Sequence, residues 1–512
     1  MKKQTKGIIA IVFFGGALLF WATAASMPNI FPPEEGMEIT ETGTPADNFP
    51  DAQRAQFCGS GEAKSNTYVR EFKIPTECTM PLAVVTDPQG NVWFTQTNTG
   101  TVAKFNPSTE TFTEYENPNW PPGARSMMWG IDYSPDGSLL FTDEATDSIW
   151  IFSTQDERYG RINFPAEEDS LPQKLEIVGS QIIVNDFLGN KITFFEAAQI
   201  GEEMTYKSLP SPVPNSVTGD FAVDGNKTLW YTNWIFQQGG VLVKYDQTEE
   251  GIPQVYELPP GLNTPNGIVS DSNGNIWLAD TSSSFFFSFD PESESFTQYS
   301  TSLPTASTYG NYSGLIKTPV TRPYWIDLDQ NDRIVFNEQT ANRIGVFDPN
   351  TNSLTEYLIP SKNPDWADCG LLADCGLAQV FGFTIDDDKI WFTEWVENNI
   401  GYVDTSIPLP FEVSIDTDYI VLKKGEQTQI NVNFIPNSNP QNVVLVSTST
   451  ASLDDLSVKS SMETIQLDSE PISIPIQVSA SENALSGTYK ILIGGQTDDV
   501  TISKYLTLQV ES

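Results

Sequence analysis

Val92-Trp93-Phe94-Thr95, Leu139-Leu140-Phe141-Thr142, Ile182-Ile183-Val184-Asn185, Leu229-Trp230-Tyr231-Thr232, Ile276-Trp277-Leu278-Ala279, Ile334-Val335-Phe336-Asn337 and Ile390-Trp391-Phe392-Thr393 are versions of one strand core. Their second residues fall 43 to 58 positions apart, the period of a four-stranded propeller blade or slightly more. A turn such as Asp-x-x-Gly precedes several copies. A strand ending in Phe-Asp-Pro or a similar triplet follows, and then an outer strand of the type Phe-x-x-Tyr-x-x-Pro. One such unit cannot bury its apolar faces alone, so the copies must stack, and radial closure leaves few open edges. The expected fold is all-β, with a seven-bladed β-propeller over residues 68–410. Extra loops near 301–321 and 361–379 fill the two widest spacings, and segment 68–74 is expected to complete the last blade as a latch.

Beyond Pro410 the repeat stops. Alternating strands follow at 411–415, 427–434, 443–447, 472–478, 487–493 and 502–510, with no helical periodicity between them. That spacing predicts an immunoglobulin-like β-sandwich over 411–512. At the other end, Lys2, Lys3 and Lys6 precede an apolar run from Gly7 to Ala25, which reads as an export segment, residues 1–26. Cleavage after Ala22-Thr23-Ala24 and retention as a single membrane span both stay open. The lysines place everything that follows on the outer side. Residues 27–67, rich in Pro, Glu, Asn, Thr and Gly, read as a linker. The expected location is extracellular or cell-surface, with membrane contact only through the N-terminal segment.

Four cysteines on the exported side suit disulfides. Nearness in sequence favours Cys369 with Cys375, closing a short loop, and Cys58 with Cys78, pinning the lead to the first repeat. Sequons at Asn226 and Asn311 are compatible with an exported surface. The formal charge of −40 repels phosphate backbones and excludes nucleic acid as a partner. Histidine is absent, which removes imidazole bases, Ser-His-Asp triads and histidine-ligated zinc.

The segments Ile390-Trp391-Phe392-Thr393-Glu394-Trp395 with Asn399-Ile400-Gly401, and Asn342-Arg343-Ile344-Gly345, resemble the virginiamycin B lyase family of streptogramin-inactivating propellers over about residues 68–405. The resemblance implies metal-assisted elimination on a cyclic depsipeptide, with histidines at the channel mouth. Here Tyr324, Phe381 and Asn266 stand at the corresponding places, and Trp395 stands where the family has a glutamate, one residue after Glu394. The resemblance thus implies the fold and leaves the lyase chemistry without its residues.

The residues following each strand core, Gln96, Asp143, Asp186, Asn233, Asp280, Glu338 and Glu394, are expected at one end of the channel. The carboxylates Asp143, Asp186, Asp280, Glu338 and Glu394 form a candidate site for one calcium or magnesium ion, beside the alternative that they bond neighbouring backbone. Around that mouth Trp129, Asn233, Trp234, Asn266, Arg322, Tyr324, Trp325, Phe381 and Trp395, with Gln96, make a candidate surface for a peptide, glycan or protein ligand. Two functions follow. One is an exported binding or interaction scaffold. The other is a metal-assisted lyase or lactonase with Glu338, Glu394 or Tyr324 as base.

Overall fold

The computed structural model describes residues 58–59, 61–121, 124–164, 170–196, 205–235, 238–247, 252–305, 308, 320–367, 369–437, 441–452 and 454–512. The expected export segment, most of the linker, most of the loop at 301–321 and the Asn311 sequon lie outside them. No helix among the described residues is long and apolar enough to cross a membrane.

The chain is all-β. Among the described residues, seven four-stranded antiparallel arrays follow one another. The first comprises Pro81–Thr86, Val92–Gln96, Thr101–Asn106 and Thr111–Tyr115. The next five span residues 131–163, 172–210, 217–257, 265–300 and 323–358. The seventh comprises Val380–Asp386, Lys389–Glu394 and Asn399–Asp404, completed by the N-terminal strand Val69–Lys73, which pairs Val69 with Val403 and Lys73 with Asn399. The first strand of each array touches that of the next or its neighbour, and Pro81–Thr86 also touches Val380–Asp386. The arrays therefore close into a ring.

The strand core read from the sequence is the second strand of each sheet, one place outward from the axis. Its second and third residues pack between sheets: Trp93, Trp230, Trp277 and Trp391 are buried. Its fourth residue explains the run of Thr and Asn. Thr95 Oγ1 donates to Met128 O (3.1 Å), Thr142 Oγ1 to Gln173 O (2.7 Å), Asn185 Nδ2 to Gly219 O (2.8 Å), Thr232 Oγ1 to Pro265 O (2.9 Å) and Asn337 Nδ2 to Val380 O (2.7 Å). Thr393 Oγ1 donates to Leu82 O (2.7 Å) and so joins the last sheet to the first. Where the tetrad ends in Ala279, Thr281 Oγ1 reaches Pro323 O instead (3.3 Å). A register shift in most first strands, as between Pro81 and Val84 or Pro323 and Ile326, breaks the ladder beside these accepting carbonyls.

The repeating turn has an equally local cause. Asp87 Oδ1 accepts from the Gln89 and Asn91 amides and Oδ2 from Trp93 Nε1 (2.8 Å). Asp271 does the same for Asn273, Asn275 and Trp277 Nε1 (2.9 Å). One carboxylate thus fixes the turn and orients the tryptophan that fills the gap between sheets.

Past residue 410 a second array, Phe411–Ile415, Gln427–Pro436, Ile472–Ala480 and Leu456–Ser460, faces strands that belong to the ring's own sixth sheet. The long last strand, Val500–Glu511, pairs with Ser353–Leu358 from Ser353↔Lys504 to Tyr357↔Val500. It also pairs along its length with Gly487–Gln496 and, in parallel, with Tyr419–Lys423. The sixth sheet therefore grows to nine strands. The unit read from the sequence at 411–512 is thus joined to the ring through its last strand, because an outer strand's free N–H and C=O groups take up a further strand. One apolar cluster runs from Val335, Ile344 and Tyr357 through Phe411 and Phe434 to Ile502 and Leu508.

Both disulfides expected from sequence are formed, Cys58–Cys78 and Cys369–Cys375, with Cα–Cα distances of 5.4 and 5.5 Å. They point to an oxidising environment.

Candidate functional site

The seven residues following the strand cores do not converge on the axis. Six of them end a second strand, and Asn233 lies two residues before the end of its own; Asp143 opposes Ser148, Asp186 opposes Lys191, Asp280 opposes Phe285 and Asn233 opposes Val241. Their bonds are local. Asp143 accepts from Ser126 Oγ, Thr146 Oγ1 and Trp150 Nε1 (3.0 Å). Asp186 accepts from Ser170 Oγ (2.7 Å) and from the amides of Leu171 (2.6 Å) and Gly189 (2.9 Å). Asp280 accepts from the Thr264 amide (2.8 Å) and Ser283 Oγ (2.6 Å). Asn233 Nδ2 donates to Thr218 Oγ1 (3.0 Å), and Gln96 Nε2 to Glu114 Oε1 (2.7 Å). Glu338 lies 3.7 Å from Arg343 Nη1, and Glu394 accepts from Asn399 Nδ2 (2.8 Å). Burial pushes the carboxyls of Asp186, Asp280, Glu338 and Glu394 up. Among the described residues no group of three or more His, Cys, Asp or Glu is placed to hold a metal ion. The expected ring of ion ligands is thus replaced by seven separate joints, because the aligned strand is second from the axis.

The aromatic set does come together. Trp129 stacks on Tyr324 (6.1 Å between ring centres) and meets Phe381 edge-on (5.8 Å). Tyr324 also contacts Phe381 (5.9 Å) and Trp325 (6.1 Å), and Phe381 reaches Trp395 (5.6 Å), which meets Trp366 (5.7 Å). Trp234 joins the same cluster through Phe187 (5.8 Å). Asn266, beside it, donates to Thr281 Oγ1 (3.1 Å). Arg322 sits at φ +54°, its amide donating to Ser283 O. The sequence predicts a rim open to a ligand. Instead Trp129, Tyr324, Phe381 and Trp395 are all 3% exposed or less, since flat rings brought to one end of a narrow channel pack on one another. Both disulfides belong to this plug.

Below the plug lies a polar set that the sequence reading missed. Lys174 Nζ sits 3.1 Å from Asp220 and donates to Phe221 O (3.0 Å). Glu176, Asp132 and Asp327 act on the same centre from three first strands, Asp132 also accepting the Ile177 amide (2.7 Å). Burial pushes Asp220 up to about 6, against the pull of Lys174. Burial works to lower the Lys174 pKa too, but Asp220, Glu176 and Asp327 outweigh it and hold the ammonium charged. Only the charged residues set among apolar ones, Lys174 and Glu176 in 172–178 and Asp220 in 217–223, hinted at this set, and the register shift that turns it inward leaves no mark in the sequence.

At the aromatic cluster, Glu144 accepts from Trp129 Nε1 (2.8 Å) and is pushed up to about 7 by desolvation. Titrating the native chain through neutral pH is expected to change tryptophan emission with a midpoint near 7. The change should vanish in Glu144→Gln and in Trp129→Phe; if it survives both, another group is responsible.

Residues 53–285 match the model of the virginiamycin B lyase family. The ring is a virginiamycin B lyase-like propeller. Virginiamycin B lyase from Staphylococcus aureus has 22% sequence identity and a TM-score of 0.51, over 67% of this chain and 99% of that one. A catalytically inactive form of that enzyme with quinupristin has 21% identity and a TM-score of 0.51, over 67% and 99%. A streptogramin B lyase structure has 22% identity and a TM-score of 0.51, over 65% and 96%. No curated protein matches the chain. At this identity the solved virginiamycin B lyases speak for the fold.

Proposed function

We propose that this chain is an exported, secreted or cell-surface scaffold. A seven-bladed propeller carries an immunoglobulin-like sandwich as a fixed extension, and the whole engages a peptide, glycan or protein rather than turning over a substrate. The observation that carries this reading is the plug. The places at which the resemblance implies catalytic histidines hold Asn266, Tyr324 and Phe381, and the latter two are locked in a buried aromatic stack. Burial raises the Tyr324 pKa well above the usual phenol value, which disfavours it as a base. The other candidate bases, Glu338 and Glu394, are enclosed within sheets at 0% exposure, away from any incoming ligand. The sandwich joined through a continuous sheet supports a rigid two-part body.

The alternative, a metal-assisted lyase or lactonase, is tested directly. Quinupristin incubated with the purified chain and magnesium or calcium is expected to remain cyclic by mass spectrometry. Ring opening that is lost in Tyr324→Phe or Glu394→Gln would establish the enzyme and sink the scaffold.

A further inference from the structure

The residues that close the second strands differ in one respect. In the first sheet Gln96 opposes Thr101 and, two residues on, Ala103 opposes Glu114, which brings Gln96 Nε2 to Glu114 Oε1. The same register recurs twice. Glu338 opposes Arg343 while Gly345 opposes Glu356, and Glu394 opposes Asn399 while Gly401 opposes Glu71. Where the first sheet sets an amide against a carboxylate, the sixth and seventh set a carboxyl against a carboxyl.

All four glutamates are buried. Written as carboxylates they accept only; Glu356 Oε2 and Glu394 Oε1 are then left without a partner, and Glu338 has the Thr321 hydroxyl as its one neutral side-chain donor. The groups around them are few. Glu338 and Glu356 face Arg343 Nη1 at 3.7 and 3.5 Å, with the Thr321 hydroxyl at Glu338 and the phenol of Tyr505 close to both. Glu394 faces Glu71 and Glu397, with the Asn399 amide as its donor. Glu71 is already an acceptor for the Lys64 and Ser361 amides (2.7 and 3.0 Å) and Ser361 Oγ. Two like charges facing each other inside a buried sheet are costly. One proton per pair gives each orphaned oxygen pair a donor.

We propose that Glu338 and Glu394 stay protonated in the folded chain and donate to Glu356 and Glu71, doing with a proton what Gln96 does with an amide. These two protons lock the strands that finish the ring. Glu71 lies on the N-terminal strand that completes the seventh sheet, and Glu356 on the strand that receives Val500–Glu511. Burial and then the facing carboxyl raise both groups above the ordinary carboxyl range. A raised folded-state value contributes stability that is complete below the unfolded pKa and is lost as pH climbs through the folded one. The ring is therefore an acid-stable closure that loosens in base. This holds whether the propeller binds a ligand or acts on one.

The test pairs urea unfolding with infrared spectroscopy on the full chain. The native midpoint is expected to fall as pH is raised from about 5 to about 9. The Glu338→Gln, Glu394→Gln variant should keep the donor without the charge and lose at least half of that fall. The folded native chain at neutral pH should show a carboxylic-acid C=O band, weakened in the variant. If the double variant does not fold, either single one gives the same reading at half size. An unchanged pH slope in the variants overturns the proposal, and so does a native chain with no acid band at neutral pH.

Discussion

A chain ended at residue 410 is expected to lose its sharp melting transition and to self-associate. The cut strips Val500–Glu511 from Ser353–Leu358 and leaves five register positions of the sixth sheet unpaired. It also uncovers an aromatic nest. Tyr505 packs against Tyr299 (5.2 Å), Phe347 (5.5 Å) and Phe286 (6.4 Å) and donates its hydroxyl to Ser300 O (2.7 Å). An apolar strand edge opened to water is a template for aggregation. Size exclusion and a circular-dichroism melt of 58–410 against 58–512 check this. A graded form is Tyr505→Ala, which removes a buried ring and is expected to cost about 3–5 kcal/mol. A truncated chain that melts as cooperatively as the longer one would show the ring to be independent of residues 411–512.

Arg343→Met is expected to destabilise by a similar amount, about 3–5 kcal/mol, because it leaves buried acids without their cation. Arg343 is 1% exposed and holds Ser302 through Nη1 (3.2 Å to O, 2.6 Å to Oγ) and Leu303 O through Nη2 (3.1 Å), besides facing Glu338 and Glu356. The loss should deepen as pH rises, since Glu356 then has neither cation nor acid partner. Arg343→Lys should rescue little, because an ammonium cannot reproduce the planar fork. Chemical unfolding at two pH values measures both claims, and a loss below about 1 kcal/mol would mean that water rather than Arg343 satisfies these groups.

The repeat was legible because four-residue cores such as Leu229-Trp230-Tyr231-Thr232 serve one local need, a pair of wedged apolar side chains followed by a hydroxyl or amide that bonds to the next sheet. The N-terminal latch and both disulfides were legible for the same reason, as strand composition and cysteine spacing are local facts. Depth from the axis was not. The sequence does not say which of four strands is innermost, so Asp143, Asp186 and Asp280 were read as channel groups when they tie turns. Lys174 and Asp220, which do meet at the axis, were passed over because a register shift turns them inward. The aromatic set was found correctly as a cluster and misjudged as an open rim, since mutual packing of Trp129, Tyr324 and Phe381 depends on three sheets meeting. The addition of Val500–Glu511 to the sixth sheet has no sequence mark at all: its alternation suits any edge of matching length.

The stitching of Val69–Lys73 to Asn399–Asp404 and of Val500–Glu511 to Ser353–Leu358 also fixes a timetable. Five sheets are hairpins of neighbouring residues and can assemble as they appear. The sixth and seventh have to wait, one for a strand made long after it and the other for a strand made long before. Closing such distant pairs is the slow part of folding a high-contact-order chain, so the half-built ring must survive with two unfinished sheets until its most remote partners meet.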